Sequence, residues 1–158
     1  MVCFIDSFWY ASQIQRHSVA AVIHCMKHEI RQMLANGGGA IVNQSSVTSS
    51  ITGIAGNGLY AATKGAVIAL TKTAALEVAK QNISVNAIAA CAIDAPGDMI
   101  WQWIKETGGT AEQIEASLPI GRMGKPEELV AAVMFLCSDD ARFIVGHTLA
   151  VDGGFVAQ

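Results

Sequence analysis

The run "AIVNQSSVTSSITGIAGNGLYAATKGAVIALTKTAALEVAK", residues 40–80, holds a strand, a loop and a helix in that order. "AIVNQSS", residues 40–46, reads as a strand that is apolar where it starts and polar where it ends. "VTSSITGIAGNG", residues 47–58, is a polar loop with three glycines. Residues 59 to about 80 are rich in alanine and small residues, which predicts one long helix. "ISVNAIAA", residues 83–90, follows as a second apolar strand. A helix between two apolar strands implies a parallel pair joined by a crossover.

The same alternation extends both ways. Upstream, apolar residues at 19, 22, 23, 26, 30, 33 and 34 recur at helical spacing. "ANGGG", residues 35–39, predicts a glycine C-cap and a turn into the strand. Downstream, a loop around "DAPGD", residues 94–98, leads to a helical region at about 99–117. "GKPEELVAAVMFLCSD", residues 124–139, is a helix with proline at its first turn and acids beside it, which suits the helix dipole. "HTLAVDGG", residues 147–154, is a third strand. The expected order is α-β-α-β-α-α-β, an α/β sheet of three clear parallel strands with flanking helices. Residues 19–158 form one domain. Residues 1–18 are left unassigned, although "VCFI" at 2–5 has the composition of a short strand.

Composition bounds the partners. The 158 residues are 52% hydrophobic and 15% charged, with a net charge of −3. That is apolar enough for a sheet buried on both faces, or for a subunit with surface to bury against another. No basic block points to nucleic acid, and no apolar run reaches membrane-spanning length. The start carries no basic segment and no small-residue cleavage signal, which argues against a secretory leader. Cys3, Cys25, Cys91 and Cys137 are widely spaced without a CxxC pair, and read as reduced, buried thiols of a cytoplasmic protein.

Tyr60 and Lys64 stand at i and i+4, on one face of the predicted helix. A free phenol has a pKa of about 10. An adjacent ammonium favours the phenolate and draws that value down, so Tyr60 gains the ability to exchange protons with an alcohol or carbonyl. Ser46, at the exit of the strand, is placed to hydrogen-bond the same oxygen. This is equipment for reversible carbonyl reduction. The hydride must come from elsewhere, which implies a nicotinamide.

The motifs "GGGAIVNQSSV", "YAATKGAVIALTKTAALEVA", "ISVNAIAA", "GRMGKPEELVAAVMFLCSDDA" and "GHTLAVDGG" together resemble the C-terminal two-thirds of a classical short-chain dehydrogenase/reductase, in order and over residues 19–156. The resemblance implies a truncated, Rossmann-like, doubly wound parallel sheet and an NAD- or NADP-dependent oxidoreductase acting on a secondary alcohol or ketone. It implies Ser46 as carbonyl anchor, Tyr60 as proton donor and acceptor, and Lys64 as modulator of Tyr60 and ribose-binding group. Ile93 is expected to offer backbone contacts to the nicotinamide carboxamide. Helices 19–34 and 60–80 and the last strand correspond to subunit interfaces, which implies a homo-oligomer.

This sequence also departs from the family. The glycine-rich phosphate turn and the acidic ribose residue of its first half have no counterpart. "TGIAGNG", residues 52–58, is one residue short of that turn and lies well past its strand. Ser18 stands at the usual active-site asparagine, Ala90-Cys91 at a Pro-Gly, and Ala95 at a threonine. The alternative reading is therefore a catalytically silent member acting through its interfaces. The strand at 40–45 lacks one of its family neighbours, so its free edge is expected to be covered by "MVCFI" or by another chain.

Other sites are weaker. His24 and His28 are i and i+4, but further ligands are missing and no metal site is expected. No GxSxG elbow surrounds Ser46, which excludes that route to hydrolase chemistry. Trp101 and Trp103 either line a hydrophobic pocket or pack on the helix beneath them.

Overall fold

The computed structural model describes residues 15–49, 51–95, 97 and 99–158. After a wide helical turn at Gln15–Ala20, helix α1 spans Ala21–Asn36 and strand β1 Gly39–Ser46. Helix α2 is Gly58–Val78 and β2 is Ile83–Ala90. Helices α3, α4 and α5 are Met99–Thr107, Ala111–Ser117 and Pro126–Cys137, and β3 is Thr148–Val151. The strands form one parallel sheet in the order β1-β2-β3, with Gly39 opposite Ile83 and Ser46 opposite Ala90.

The expected helical region 99–117 is two helices. Gly108 takes φ +72° and ends α3, and Thr110 then caps α4 with a capping box to Gln113. Glycine reaches that left-handed conformation without a Cβ clash, so the break is written into the sequence. The turn after α1 behaves as expected, with Gly37 at φ +86° as C-cap.

Helices α1 and α2 pack on each other and on the sheet, and α5 packs on β1 and β2. One core cluster joins Met26 of α1, Ala74, Ala75 and Val78 of α2, and Ile41, Ile83 and Val85 of the strands. Of the apolar stripe on α1, Met26 is buried while Val22, Ile30 and Met33 pack against the cluster. Ile23 and Leu34 are instead about half exposed. The expectation of buried thiols fails at two positions. Cys25 and Cys137 are exposed, because each lies on the outer side of its helix, and only Cys91 is half-buried. Cys3 lies outside the described residues, as does the "MVCFI" proposed to cover β1. No described helix is long and apolar enough to cross a membrane.

Within the described residues β1 pairs only with β2. The amides of Gly39 and Val47 donate to Asn82 and Ala90, so odd-numbered residues of β1 bond toward β2. Even-numbered residues, Ala40, Val42, Gln44 and Ser46, therefore turn their N–H and C=O groups to the free edge.

Candidate active site

The carboxyl ends of parallel strands are where open α/β sheets receive ligands. Ser46 ends β1 there, and Ala90 ends β2 directly opposite. Tyr60 and Lys64 approach this end on the first turns of α2. The helix starts after Asn57, whose carbonyl accepts the Ala61 amide at 2.8 Å. Thr63 donates to the Tyr60 carbonyl at 2.8 Å and tightens the first turn.

Lys64 and Tyr60 meet as their spacing predicts. The Lys64 ammonium lies 5.7 Å from the centre of the Tyr60 ring, within cation–π range. It also donates to the Gln44 carbonyl at 3.2 Å, one of the outward-facing groups of β1. Burial of Lys64 pushes its pKa below the ordinary lysine value, because the charged form loses hydration.

Ser46 is buried, and its Oγ accepts the Thr48 amide at 3.2 Å. The same hydroxyl donates to the Ala90 carbonyl at 3.5 Å, a long bond that holds its proton loosely. Ser45 points the other way. Its hydroxyl donates to the Lys64 carbonyl at 2.9 Å, a contact that sequence reasoning passed over. The signal was available: strand alternation puts Ser45 and Ser46 on opposite faces, and only one face carries α2.

Ile93 lies three residues past β2 and is buried, its side chain against Gly124. Gly124 donates to Ala92 and accepts from Asp94. Ile93 consequently turns its own N–H and C=O away from Gly124, and its carbonyl accepts the Ala95 amide at 3.0 Å. Burial raises the pKa of the neighbouring Cys91 thiol, and the Asp152 carboxylate adds to this. Trp101 is partly exposed, and its indole N–H donates to Asp94 at 3.1 Å. The Trp103 side chain lies outside the description. His24 and His28 are exposed on α1, and no group of three or more metal-ligating side chains gathers among the described residues.

A cavity of about 100 Å³ adjoins Ile93, between Leu118, Ile120 and Val151. A larger groove of about 400 Å³ opens at the opposite ends of the strands. It is remote from Tyr60, and Arg142 there is already bonded to Asp139 and Asn82.

One end of a nicotinamide dinucleotide calls for hydrogen-bonding groups toward its ribose and its carboxamide. The Lys64 ammonium, the Tyr60 phenol and the outward Ile93 amide are groups of that kind, and would hold it if it binds here. The pyrophosphate end finds no match among the described residues. Gly53 and Gly56 sit in the loop after β1, and no strand runs directly through them into a helix.

A family model described as enoyl-(acyl carrier protein) reductase matches residues 9–156. A cis-4-hydroxycyclohexanecarboxylate dehydrogenase from Sinomonas cyclohexanicum is 41% identical over 143 residues, 88% of this chain and 53% of that protein. A cyclohexanol dehydrogenase from Acinetobacter sp. (strain SE19) is 41% identical over 138 residues, 87% of this chain and 51% of that protein. The chain thus spans about half the length of these curated relatives. The solved structure of ElxO with NADP bound superposes with a TM-score of 0.89 at 30% identity, over 99% of this chain and 62% of that one. NAD⁺-bound xylitol dehydrogenase superposes with a TM-score of 0.81 at 32% identity, over 91% of this chain and 59% of that one. With the motifs, the parallel sheet and the family match in agreement, the chain belongs to the short-chain dehydrogenase/reductase family.

Proposed function

We propose that this chain carries the proton-transfer part of an NAD(P)-dependent oxidoreductase that interconverts a small secondary alcohol and its ketone. The observation that supports it most is the half-buried Lys64 ammonium beside the Tyr60 ring, at the strand end that carries Ser46. The names of the relatives, dehydrogenases of cyclohexanol and of a hydroxycyclohexane carboxylate, favour a secondary alcohol as substrate.

Ser46 hydrogen-bonds the substrate oxygen in this reading. Its hydroxyl proton is only loosely held by Ala90, so turning it to a new acceptor costs little. Tyr60 takes the alcohol proton on oxidation and returns it on reduction. Lys64 stabilises the phenolate form by its charge, and its neighbour Gln44 limits where the ammonium can go. A bound nicotinamide supplies the hydride chemistry at carbon. Either NAD or NADP suits this half, because the ribose 2′ position would be read by residues beyond those that match.

The test is isothermal titration of the chain with NADH and with NADPH, repeated with Lys64→Ala. Saturable binding that weakens in Lys64→Ala supports the assignment. Absence of binding at millimolar cofactor would sink it. That result would favour a second reading, a silent member that acts through subunit contacts. The exposure of apolar side chains motivates this alternative: Leu76 is 80% exposed, Met134 64% and Phe143 fully.

A further inference from the structure

We propose that Ser45 is a positioning residue, one that fixes the height of α2 on β1 and so holds the Lys64 ammonium at the strand end. The inference deepens the oxidoreductase reading and rests on it for its functional meaning.

The odd-numbered face of β1 meets α2 through a buried polar seam. Asn43 donates to Thr71 at 2.9 Å and to the Met26 sulfur at 3.3 Å. One step along the strand, Ser45 donates to the Lys64 carbonyl. Asn43, Ser45 and Thr71 are all buried. The buried apolar residues of α2 are Val67, Ile68, Ala74, Ala75 and Val78. Apolar contact is non-directional and by itself does little to oppose sliding along the strand. Directional bonds in a dry interface resist it strongly, because a helix shifted along the strand would strand their donors.

At Lys64 the connection is reciprocal. The Ser45 side chain holds the lysine main chain, and the Gln44 main chain holds the lysine side chain at 3.2 Å. The two strand residues are neighbours but point differently, Ser45 to the helix face and the Gln44 carbonyl to the free edge. Together they favour the ammonium position 5.7 Å from the centre of the Tyr60 ring. Without the Ser45 hydroxyl the first turns of α2 lose this directional bond to β1, and the ammonium is expected to become more exposed to solvent.

Competitive acylation of the whole chain across pH, with each lysine read by mass spectrometry, measures this directly and needs no cofactor. Lys64 of the unaltered chain is expected to show a midpoint below the ordinary 10.5. Ser45→Ala is expected to raise that midpoint toward the ordinary value. Ser45→Cys keeps the packed volume with only a weak donor, and carries the same expectation if Ser45→Ala fails to fold. Thr71→Val breaks the seam next to Asn43 and spares Ser45, so its Lys64 midpoint should stay that of the unaltered chain.

An unchanged midpoint in both folded Ser45 variants would overturn the proposal. So would an equal rise in Thr71→Val, or an ordinary midpoint for Lys64 in the unaltered chain. Titrating the same proteins with NADH separates the two claims. A Ser45-dependent Lys64 midpoint without any cofactor binding upholds the positioning role and refutes the oxidoreductase reading. Binding that is indifferent to Ser45, with Lys64 likewise indifferent, does the reverse.

Discussion

Lys64 carries a stability cost whose pH dependence has a definite sign. Its folded-state pKa lies below the unfolded 10.5, so between the two values the unfolded chain binds more protons. Stability from this residue therefore rises with pH across that window. Lys64→Met removes the titration along with the bond to Gln44. The stability of Lys64→Met relative to the parent should then fall as pH climbs toward 10.5, as measured by urea unfolding at several pH values. A difference that stays flat up to 10.5 and changes only above it would mean that the ammonium is stabilised where it lies. Tyr60 offers the matching functional test. In a preparation that turns over a secondary alcohol, Tyr60→Phe should lower kcat by about 10²–10⁴-fold, the usual worth of a positioned acid–base group. The i and i+4 spacing put Tyr60 and Lys64 on one helix face, but it was the strand-end Ser46, the loop-to-helix context and the family resemblance, not the spacing by itself, that made them candidates. The roles of Ser45 and Gln44 were not legible, since they depend on which face of β1 meets α2 and which edge is free. Those are facts of packing that a single strand does not contain.

Helix termini carry the next level of specification. The N-terminus of α5 is closed by Glu128, which accepts the Lys125 amide at 2.8 Å and both terminal nitrogens of Arg122 at 2.8 and 2.7 Å. The Arg122 guanidinium and the amide hold the Glu128 pKa down at about 2, against an ordinary 4.5. A depressed carboxylate stabilises fully above its unfolded value and loses that contribution as pH falls through the folded one. Glu128→Gln should therefore be less stable than the parent at neutral pH, with the gap closing between 4.5 and about 2. Salt should narrow the gap too, because both side chains face water. Thr110 serves α4 in the same way through its capping box. Thr110→Ala should cost about 1 kcal/mol of local helix stability, read as faster amide exchange over residues 111–117. The proline and acids of α5 were visible as start signals. The division of the region 99–117 was not anticipated, although the Gly108-Gly109 pair and the capping Thr110 after it are a stop and a start signal that the sequence carries.

At the scale of the whole molecule, the unresolved tension is the free edge of β1. Two of its outward carbonyls are already taken by side chains, that of Gln44 by Lys64 and that of Ser46 by the Ser49 hydroxyl at 2.6 Å. No described residue bonds the outward groups of Ala40 and Val42, and they form the open half of the edge. An open parallel edge invites another strand, and lysine is a common guard against it. Lys64 guards the end near the site, and no described residue covers the other end. The chain is therefore expected to self-associate as its concentration rises, as followed by light scattering on a sizing column. The direction of the backbone at each residue permits a sharp test. The Val42 amide points outward, so Val42→Pro removes an edge donor without touching the ladder to β2. The Ile41 amide points to β2, so Ile41→Pro removes a ladder bond and should unfold the sheet. Val42→Pro should thus keep the fold by circular dichroism and shift the association to higher concentration. If the parent chain stays a monodisperse monomer at all concentrations, the bare half of the edge is not an association site. If Val42→Pro associates as the parent does, the contact lies elsewhere, and the exposed faces of α2 and α5 around Leu76 and Met134 are the surfaces to alter next.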